Sequence, residues 1–179
     1  TYAYQEKYLF QASVRRDGAS QLADGYKWDA FPSFSVGWRI EQEDFMESTQ
    51  NWLDALKLRV GYGISGNYTV PFYTTKGAIQ SLYQLWGDVV TLGYVGSDAS
   101  AKNPNKAANI ELGWERTKQF NIGIDFAVLD SRLSGNIDFY KNKTVDCIMD
   151  KSIPSVNGYT KTMDNVGKTR GHGLDIQIN

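Results

Sequence analysis

Apolar and polar residues alternate with a period of two along most of this chain, and this pattern most constrains its fold. Successive side chains of a β-strand point to opposite faces of a sheet, so alternation predicts strands with one apolar and one polar face. The strong runs lie at 8–15, 34–40, 56–64, 133–143 and from 172 onward, with a weaker run at 161–167. No apolar run approaches the roughly 20 residues of a membrane helix. We therefore predict an all-β chain of antiparallel strands.

The longest alternating run covers residues 110–128, where apolar and polar positions keep one parity throughout. This run predicts one very long strand, or two strands joined without a slip. Strands of soluble proteins most often have about 5–6 residues. A strand of this length is typical of a barrel that continues above a membrane surface.

The predicted connections alternate between long and short. Long polar connections lie at 16–30, 66–107 and 145–160, a medium one at 41–54, and short ones at 129–132 and 168–171. Membrane barrels have long loops on one rim and short turns on the other. We therefore predict the strands of a transmembrane β-barrel, as a partial barrel with its loops sorted in this way. A soluble β-sandwich acting as a carbohydrate-binding module stays open as the alternative, because a sandwich core also uses alternating strands.

The composition limits the chemistry that the chain can perform. Cys147 is the only cysteine and His172 the only histidine, so neither a disulfide framework nor a histidine-pair metal motif can form. We expect no catalytic group, no metal site and no cofactor. The net charge of −1 gives no support for a nucleic-acid partner.

Several short motifs stand in a fixed order along the chain. They are RDGAS at 16–20, FPSFSVGWRI at 31–40, LKLRVGYGISGN at 56–67, LGWE at 112–115, NIGIDF at 121–126, DFYK at 138–141 and NVG at 165–167. Together and in this order they resemble the SusC/RagA-like family of TonB-dependent outer-membrane transporters. The chain departs from the family pattern at Gln21-Leu22-Ala23 and at His172, which affects loop details.

The resemblance implies a barrel of about 22 strands closed by a plug domain. Residues 1–179 would be a fragment of this barrel domain, without the plug and the terminal strand. The family resemblance also implies an outer membrane of the Gram-negative, Bacteroidetes type, active import of oligosaccharides or peptides, and no enzymatic role. The implied partners are outer-membrane lipid, a SusD-like surface lipoprotein, and the TonB complex through the missing N-terminal part.

Two groups of residues are candidates for a functional site. The first shares the polar faces of the predicted strands, which in a barrel point into the lumen: Lys57, Arg59, Asp125, Asn136, Asp138 and Asp175. These side chains would dock a plug or line a wet path, or they would simply be paired charges. The second group consists of aromatic residues in or beside the 67–106 loop: Tyr68, Tyr83, Trp86 and Tyr94. They would bind a ligand by ring stacking, or they would pack the loop's own core.

Overall fold

The computed structural model describes residues 1–49, 51–97 and 106–179, and they form an almost entirely β structure. The strands in chain order are β1 (Tyr2–Tyr4), β2 (Tyr8–Gly18), β3 (Trp28–Arg39), β4 (Leu53–Asn67), β5 (Ala78–Trp86), β6 (Val89–Ser97), β7 (Lys106–Ala107), β8 (Glu115–Val128), β9 (Leu133–Val145), β10 (Ile148–Ser152), β11 (Lys161–Asn165) and β12 (Lys168–Ile178). Short 3-10 helices lie at Ile40–Gln42, Asp44–Thr49 and Ser155–Asn157. Within the described ranges, no helix combines the length and apolar character needed to cross a membrane.

One antiparallel sheet of seven strands, in the order β1-β2-β3-β4-β8-β9-β12, organises the chain. Apart from a register shift between Leu53 and Ala55, where β4 begins, its register is continuous. Residues that lie opposite each other on successive strands therefore form rows across the sheet. One such row is Leu58–Ile124–Ile137–Ile176, and the next is Arg59–Gly123–Asp138–Asp175. Opposite residues share a face, so the sheet has one apolar and one polar face. The predicted all-β, antiparallel architecture is confirmed.

The apolar face is largely uncovered. Val14 is 75% exposed, Ile176 is 60% exposed, and Phe34, Ile122 and Phe139 are exposed as well. A β-sandwich would bury such a face against a second sheet about 10 Å away. In the part of the chain that the structure describes, the other strands form only a three-stranded sheet, β10-β11-β7, and the β5–β6 hairpin, both in the loops. The architecture is therefore not that of a β-sandwich.

The connections of the large sheet are sorted between its two ends. Residues 19–27, 68–114 and 146–167 connect strands at one end, which we call the long-loop rim. Residues 40–52 and 129–132 connect strands at the other end, the short-turn rim. The predicted sorting is confirmed for the long connections 68–114 and 146–167 and for the short turn 129–132, whereas 40–52 at the short-turn rim is longer than 19–27 at the long-loop rim.

Two predicted boundaries are wrong. The strand predicted from residue 110 begins at Glu115, because Leu112 and Trp114 are buried among the loops and leave the sheet. The short connection predicted at 168–171 lies inside β12, and the turn is at Val166-Gly167, where Gly167 has φ of +90°.

The long loops contain strands that the alternation did not place correctly. The segment predicted as the 66–107 connection contains the β5–β6 hairpin, while its residues 98–105 lie outside the described ranges. The weak strand predicted at 161–167 exists as β11, but it pairs with β10 and β7 and not with the large sheet. The segment predicted as the 145–160 connection likewise contains β10. These loops therefore form a second, smaller layer of structure at the long-loop rim.

A small hydrophobic core holds the long loops together. Its buried members are Ala19, Leu22, Phe31, Val70, Leu112 and Trp114. The Trp114 ring meets the Phe31 ring edge-on at 5.2 Å between centroids, and its Nε1 donates a hydrogen bond of 3.2 Å to the carbonyl of Lys27. The core combines residues of two connections, 19–27 and 68–114, with Phe31 of β3. It ties the loops to the end of the sheet.

We expect Leu112→Ala to loosen the loops at the long-loop rim by about 2–5 kcal/mol, because Leu112 is fully buried and the truncation leaves a cavity. The matched control is Ile110→Ala, two residues away and 77% exposed, which should cost less than about 0.5 kcal/mol. Limited proteolysis of the two variants in the full-length protein measures the difference. Equal cleavage rates at the long loops would contradict a core centred on Leu112.

Candidate functional site on the polar face

An ion-pair network occupies the middle of the polar face. The Arg59 guanidinium donates to both carboxylate oxygens of Asp125, through Nε and Nη2, each at 2.7 Å. The same Nη2 donates to Asp138 Oδ2 at 3.0 Å. A paired, two-point contact of this kind fixes the guanidinium plane as well as its charge. Arg59 therefore links β4, β8 and β9 across the face.

Gly123 makes this network possible. It lies between Arg59 and Asp138 in the same row, and a Cβ atom built on it would overlap Asp138 Oδ1 and lie 3.0 Å from Arg59 Nη2. Only a residue without a side chain lets the arginine reach the aspartate two strands away. The glycine in the NIGIDF motif is thus explained by close approach and not by backbone dihedrals.

The other polar candidates lie on the same face, next to the partners of Arg59. Asn136 donates to Asp138 Oδ2 at 3.2 Å. Lys57 lies opposite Asp125 in the register, and Asp175 lies opposite Asp138 on the edge strand β12. The structure thus brings Arg59, Asp125, Asn136 and Asp138 into direct contact, and it places Lys57 and Asp175 beside them.

Uncharged polar side chains extend the face toward the long-loop rim. A shallow groove there is lined by amides and hydroxyls, including Gln11, Ser33, Ser35, Gln119 and Asn121. Ser13 and Ser33 share a hydrogen bond of 2.8 Å between their hydroxyls, as Thr117 and Thr144 do at 2.9 Å. Such a surface can hydrogen-bond a polar solute or water.

Three of the four aromatic candidates lie on the β5–β6 hairpin. Tyr83 and Tyr94 share one face of it with Leu85, Val90 and Leu92, whereas Trp86 points to the other face beside the turn. Their side chains are about three-quarters exposed or more, at 75% for Tyr83, 73% for Tyr94 and 81% for Trp86. They therefore do not pack a loop core, which was the alternative reading of these residues.

Tyr68 is separated from the other three aromatic candidates. Its ring packs edge-on against Trp114 at 5.0 Å between centroids, and it remains partly exposed. Tyr68 thus extends the loop core with one side of its ring and leaves the other side accessible.

Glu43, at the short-turn rim, has a structural role that its sequence context did not indicate. It accepts hydrogen bonds from the Tyr8 hydroxyl at 2.6 Å and from Trp38 Nε1 at 2.9 Å. These two bonds, together with Lys7, hold the pKa of the Glu43 carboxyl below its usual value. The stacked Tyr8 and Trp38 rings are thereby fixed at the edge of the apolar face. The sequence indicated this role only through the spacing of Glu43, which follows Trp38 of the strand by five positions.

Asn165, from the NVG motif, is a second residue whose role sequence reasoning missed. Its Oδ1 accepts from the Gly113 amide at 2.7 Å, and its Nδ2 donates to the carbonyls of Gly113 and Asp146. One side chain thereby substitutes for missing backbone pairing between two long loops. The motif is explained by this bridge.

The whole chain matches a known family model. Residues 1–179 match the family described as TonB dependent receptor-like, β-barrel. The TonB-dependent receptor SusC of Bacteroides thetaiotaomicron is 34% identical over 179 residues, which are 99% of this chain and 17% of that protein. The TonB-dependent receptor P3 of Formosa agariphila is 33% identical over 178 residues, again 99% of this chain and 17% of its relative.

Solved structures show the same fold. The RagAB peptide importer in its 'open-open' state aligns with a TM-score of 0.81 and 27% identity over 99% of this chain, which is 18% of that chain. Its 'closed-closed' state aligns with a TM-score of 0.79. The chain therefore spans less than a fifth of the length of the relatives that it matches.

We expect Gly123→Ala to destabilise the sheet by about 1–3 kcal/mol, because the added Cβ displaces either Arg59 or Asp138 and leaves a half-buried charge without its partner. The matched control is Gly61→Ala on the same face, where the nearest atom, Ser35 Cβ, is 3.9 Å away. Urea unfolding of the full-length protein in lipid vesicles measures both. Equal losses in the two variants would show that the network does not depend on Gly123.

Proposed function

Because this chain belongs to the TonB dependent receptor-like β-barrel family, we propose that it forms part of the barrel wall of an outer-membrane transporter that imports oligosaccharides or peptides. The observation that carries the proposal is the two-faced sheet, whose apolar face is exposed and whose other face is polar. A sheet of this kind is stable where lipid meets one face and water meets the other. In this proposal residues 1–179 are one part of the barrel domain, and the plug domain lies elsewhere in the protein.

The dimensions of the apolar face support a membrane position. Along β8 the outward apolar positions run from Phe120 to Val128, which is about 27 Å at roughly 3.4 Å per residue. Strands tilted by about 40° would span roughly 21 Å with that length, close to the ~25 Å apolar band of outer-membrane barrels. Phe34 and Tyr62 lie in the row of Phe120, at the end of this band toward the long-loop rim, and Trp38 lies where β3 ends toward the short-turn rim. Aromatic girdles of this kind are typical of membrane barrels.

The polar face would then line the lumen. We infer that Lys57, Arg59, Asp125, Asn136, Asp138 and Asp175 face the lumen, where they meet water, the plug or passing substrate. The bidentate Arg59–Asp125 contact would keep the wall rigid there, and the hydroxyls and amides near Asn121 would offer replaceable hydrogen bonds. A polar solute can move along such a surface because each hydrogen bond is weak and a neighbouring group offers a replacement when it breaks.

The long-loop rim would be the side that meets the substrate. Tyr83, Trp86 and Tyr94 present exposed rings there, with the accessible side of Tyr68 nearer to the sheet. Rings of this kind bind sugars or peptide side chains by stacking and apolar contact. The name of the RagAB peptide importer supports a peptide, while the relation to SusC leaves oligosaccharides as the other class.

The remaining partners follow from the family. A SusD-like surface lipoprotein would close over the long-loop rim, and the TonB complex would supply energy through another part of the protein. The wall described here would need no enzymatic step, because import changes the location of the substrate and not its covalent structure. The location would be the outer membrane of a Bacteroidetes-type cell.

A charge on the apolar face tests the membrane position. We expect Ile122→Lys in the full-length protein to destabilise the state folded into lipid by about 2–4 kcal/mol, because it places an ammonium in the hydrocarbon. The adjacent Asn121→Lys adds the same charge to the polar face and should cost less than about 1 kcal/mol. Folding into vesicles and recovery in the outer-membrane fraction measure both. If Asn121→Lys were the more damaging change, the assignment of the two faces would be reversed.

Uptake assays test the hairpin aromatics. We expect Tyr83→Ala/Tyr94→Ala to raise the half-saturating substrate concentration about tenfold, which corresponds to ~1.4 kcal/mol for two lost ring contacts. Val156→Ala, at another exposed position of the loops, is the control. Cells carrying the full-length protein are tested with labelled peptides and oligosaccharides, at equal amounts of protein in the outer membrane. Unchanged uptake would remove Tyr83 and Tyr94 from the substrate site. Wild-type cells taking up neither class would overturn the proposed import function.

A further inference from the structure

Three cations lie side by side on the apolar face near the long-loop rim. Lys118 of β8 lies opposite Lys143 of β9, and Lys143 lies opposite Arg170 of β12. Opposite residues of an antiparallel sheet have Cβ atoms about 4.5–5.5 Å apart and share a face. The three positive side chains therefore form one continuous row, which we call the basic row.

Nothing in the described part of the chain neutralises the basic row. None of its three members forms an ion pair or a side-chain hydrogen bond with residues 1–49, 51–97 or 106–179. The carboxylates of the three strands lie at the opposite parity: Glu115, Asp125, Asp138 and Asp175. Like charges placed directly opposite each other destabilise a sheet. An external anion is the species that would reverse this cost.

The basic row lies just beyond the apolar band, with one mixed row between them on this face. The next row toward the short-turn rim is Tyr62–Phe120–Lys141–His172, and the one after it, Val60–Ile122–Phe139–Leu174, is entirely apolar. The apolar residues thus end one row nearer the short-turn rim on β9 and β12 than on β8. An oblique boundary of this kind is what strands tilted across a bilayer produce. The basic row would lie at the level of the lipid headgroups.

We propose that Lys118, Lys143 and Arg170 bind the phosphate groups of anionic membrane lipid headgroups on the outer surface of the barrel wall. The inference rests on the membrane position proposed above. Lysine and arginine can lay their aliphatic stems along the apolar surface while the charged ends reach the headgroups. A carboxylate substrate is a poor occupant, because the polar face that would meet substrate is on the other side of the sheet. Lys141, exposed in the next row, would add a fourth cation within reach of the same headgroups.

Lipid binding by the purified full-length protein tests this proposal. The apparent dissociation constant for phosphatidylglycerol is measured in neutral detergent by native mass spectrometry, with phosphatidylcholine as the zwitterionic reference. Each basic residue near an anionic surface contributes about fivefold in affinity, so Lys118→Gln/Lys143→Gln/Arg170→Gln should weaken phosphatidylglycerol binding on the order of 100-fold. Binding of phosphatidylcholine should change less than about twofold.

The matched control removes the same charge elsewhere. Lys76→Gln/Arg132→Gln/Lys161→Gln changes three exposed cations outside the basic row and should bind phosphatidylglycerol as the wild type does. If both triple variants lose affinity equally, the effect is net charge and the proposal is overturned. If the first triple variant binds phosphatidylglycerol like the wild type, the proposal is overturned as well.

Two further measurements separate the possible failures. Inorganic phosphate at the same concentration should not displace the lipid, and full displacement would overturn a lipid site in favour of a free-phosphate site. Membrane fractionation of cells reports on the proposed function separately. A wild-type protein found in the outer membrane without headgroup preference would overturn the lipid proposal alone, whereas a protein absent from that membrane would overturn the membrane position itself.

Discussion

The continuous register of the large sheet is the constraint on which the rest of the structure depends. From β4 to β12 the rows Val60–Ile122–Phe139–Leu174 and Leu58–Ile124–Ile137–Ile176 are apolar and alternate with rows of polar residues and glycine. A slip of one residue between two strands would therefore exchange the apolar and polar faces. The rows are held by backbone hydrogen bonds along strands of up to fifteen residues. Contacts between side chains of neighbouring strands also stabilise this register. The clearest case is the Arg59 network, which crosses over Gly123. A single arginine there fixes three strands relative to each other.

The long-loop rim is built on a different principle. Its loops bury apolar residues around Leu112 and Trp114 and are bridged by polar side chains such as Asn165. The short, parallel β7–β11 pairing joins the second half of the 68–114 connection to the 146–167 connection. These contacts join segments far apart in sequence and create order where no regular alternation exists. At the short-turn rim, Glu43 fixes Tyr8 and Trp38, and Glu41 and Asp54 accept hydrogen bonds from the backbone amides of Leu56 and Ser131.

Alternation was sufficient to predict the strands of the large sheet, because each strand has one face in apolar surroundings and the other in polar surroundings. Residues 56–64 carry that signal in nearly every position, and residues 133–139 carry it until Lys141 and Lys143 interrupt the apolar parity. The same reasoning failed at 110–114, where Leu112 and Trp114 keep the parity of a strand but are buried in the loop core. It failed at 168–171 because Lys168 and Arg170 read as a polar connection, although they continue the outward side of β12. Within a loop, the burial of an apolar residue depends on which other loop packs against it. A single sequence does not reveal which loop that is.

Parity alone was enough to predict that the polar candidates share one face. It was not enough to predict which of them are in contact. Parity put Arg59, Asp125 and Asp138 on the same side, yet it gave no reason for Gly123 to stand between them. The pairing order of β4, β8 and β9 skips the whole 68–114 connection, and only that order brings the glycine beneath the arginine. The aromatic candidates were predicted from composition and position, and the hairpin that carries three of them was not foreseen.

The β5–β6 hairpin has a consequence for how such proteins diversify. In the described residues its two strands pair only with each other, and its side chains are mostly exposed. In this part of the chain, its exposed positions contact neither the large sheet's strands nor the buried members of the loop core, whereas Ser97 at its end is buried. The hairpin can therefore drift quickly in sequence while the sheet beneath it stays fixed. Under the proposed import function, a change of substrate would act on this hairpin first and leave the sheet unchanged.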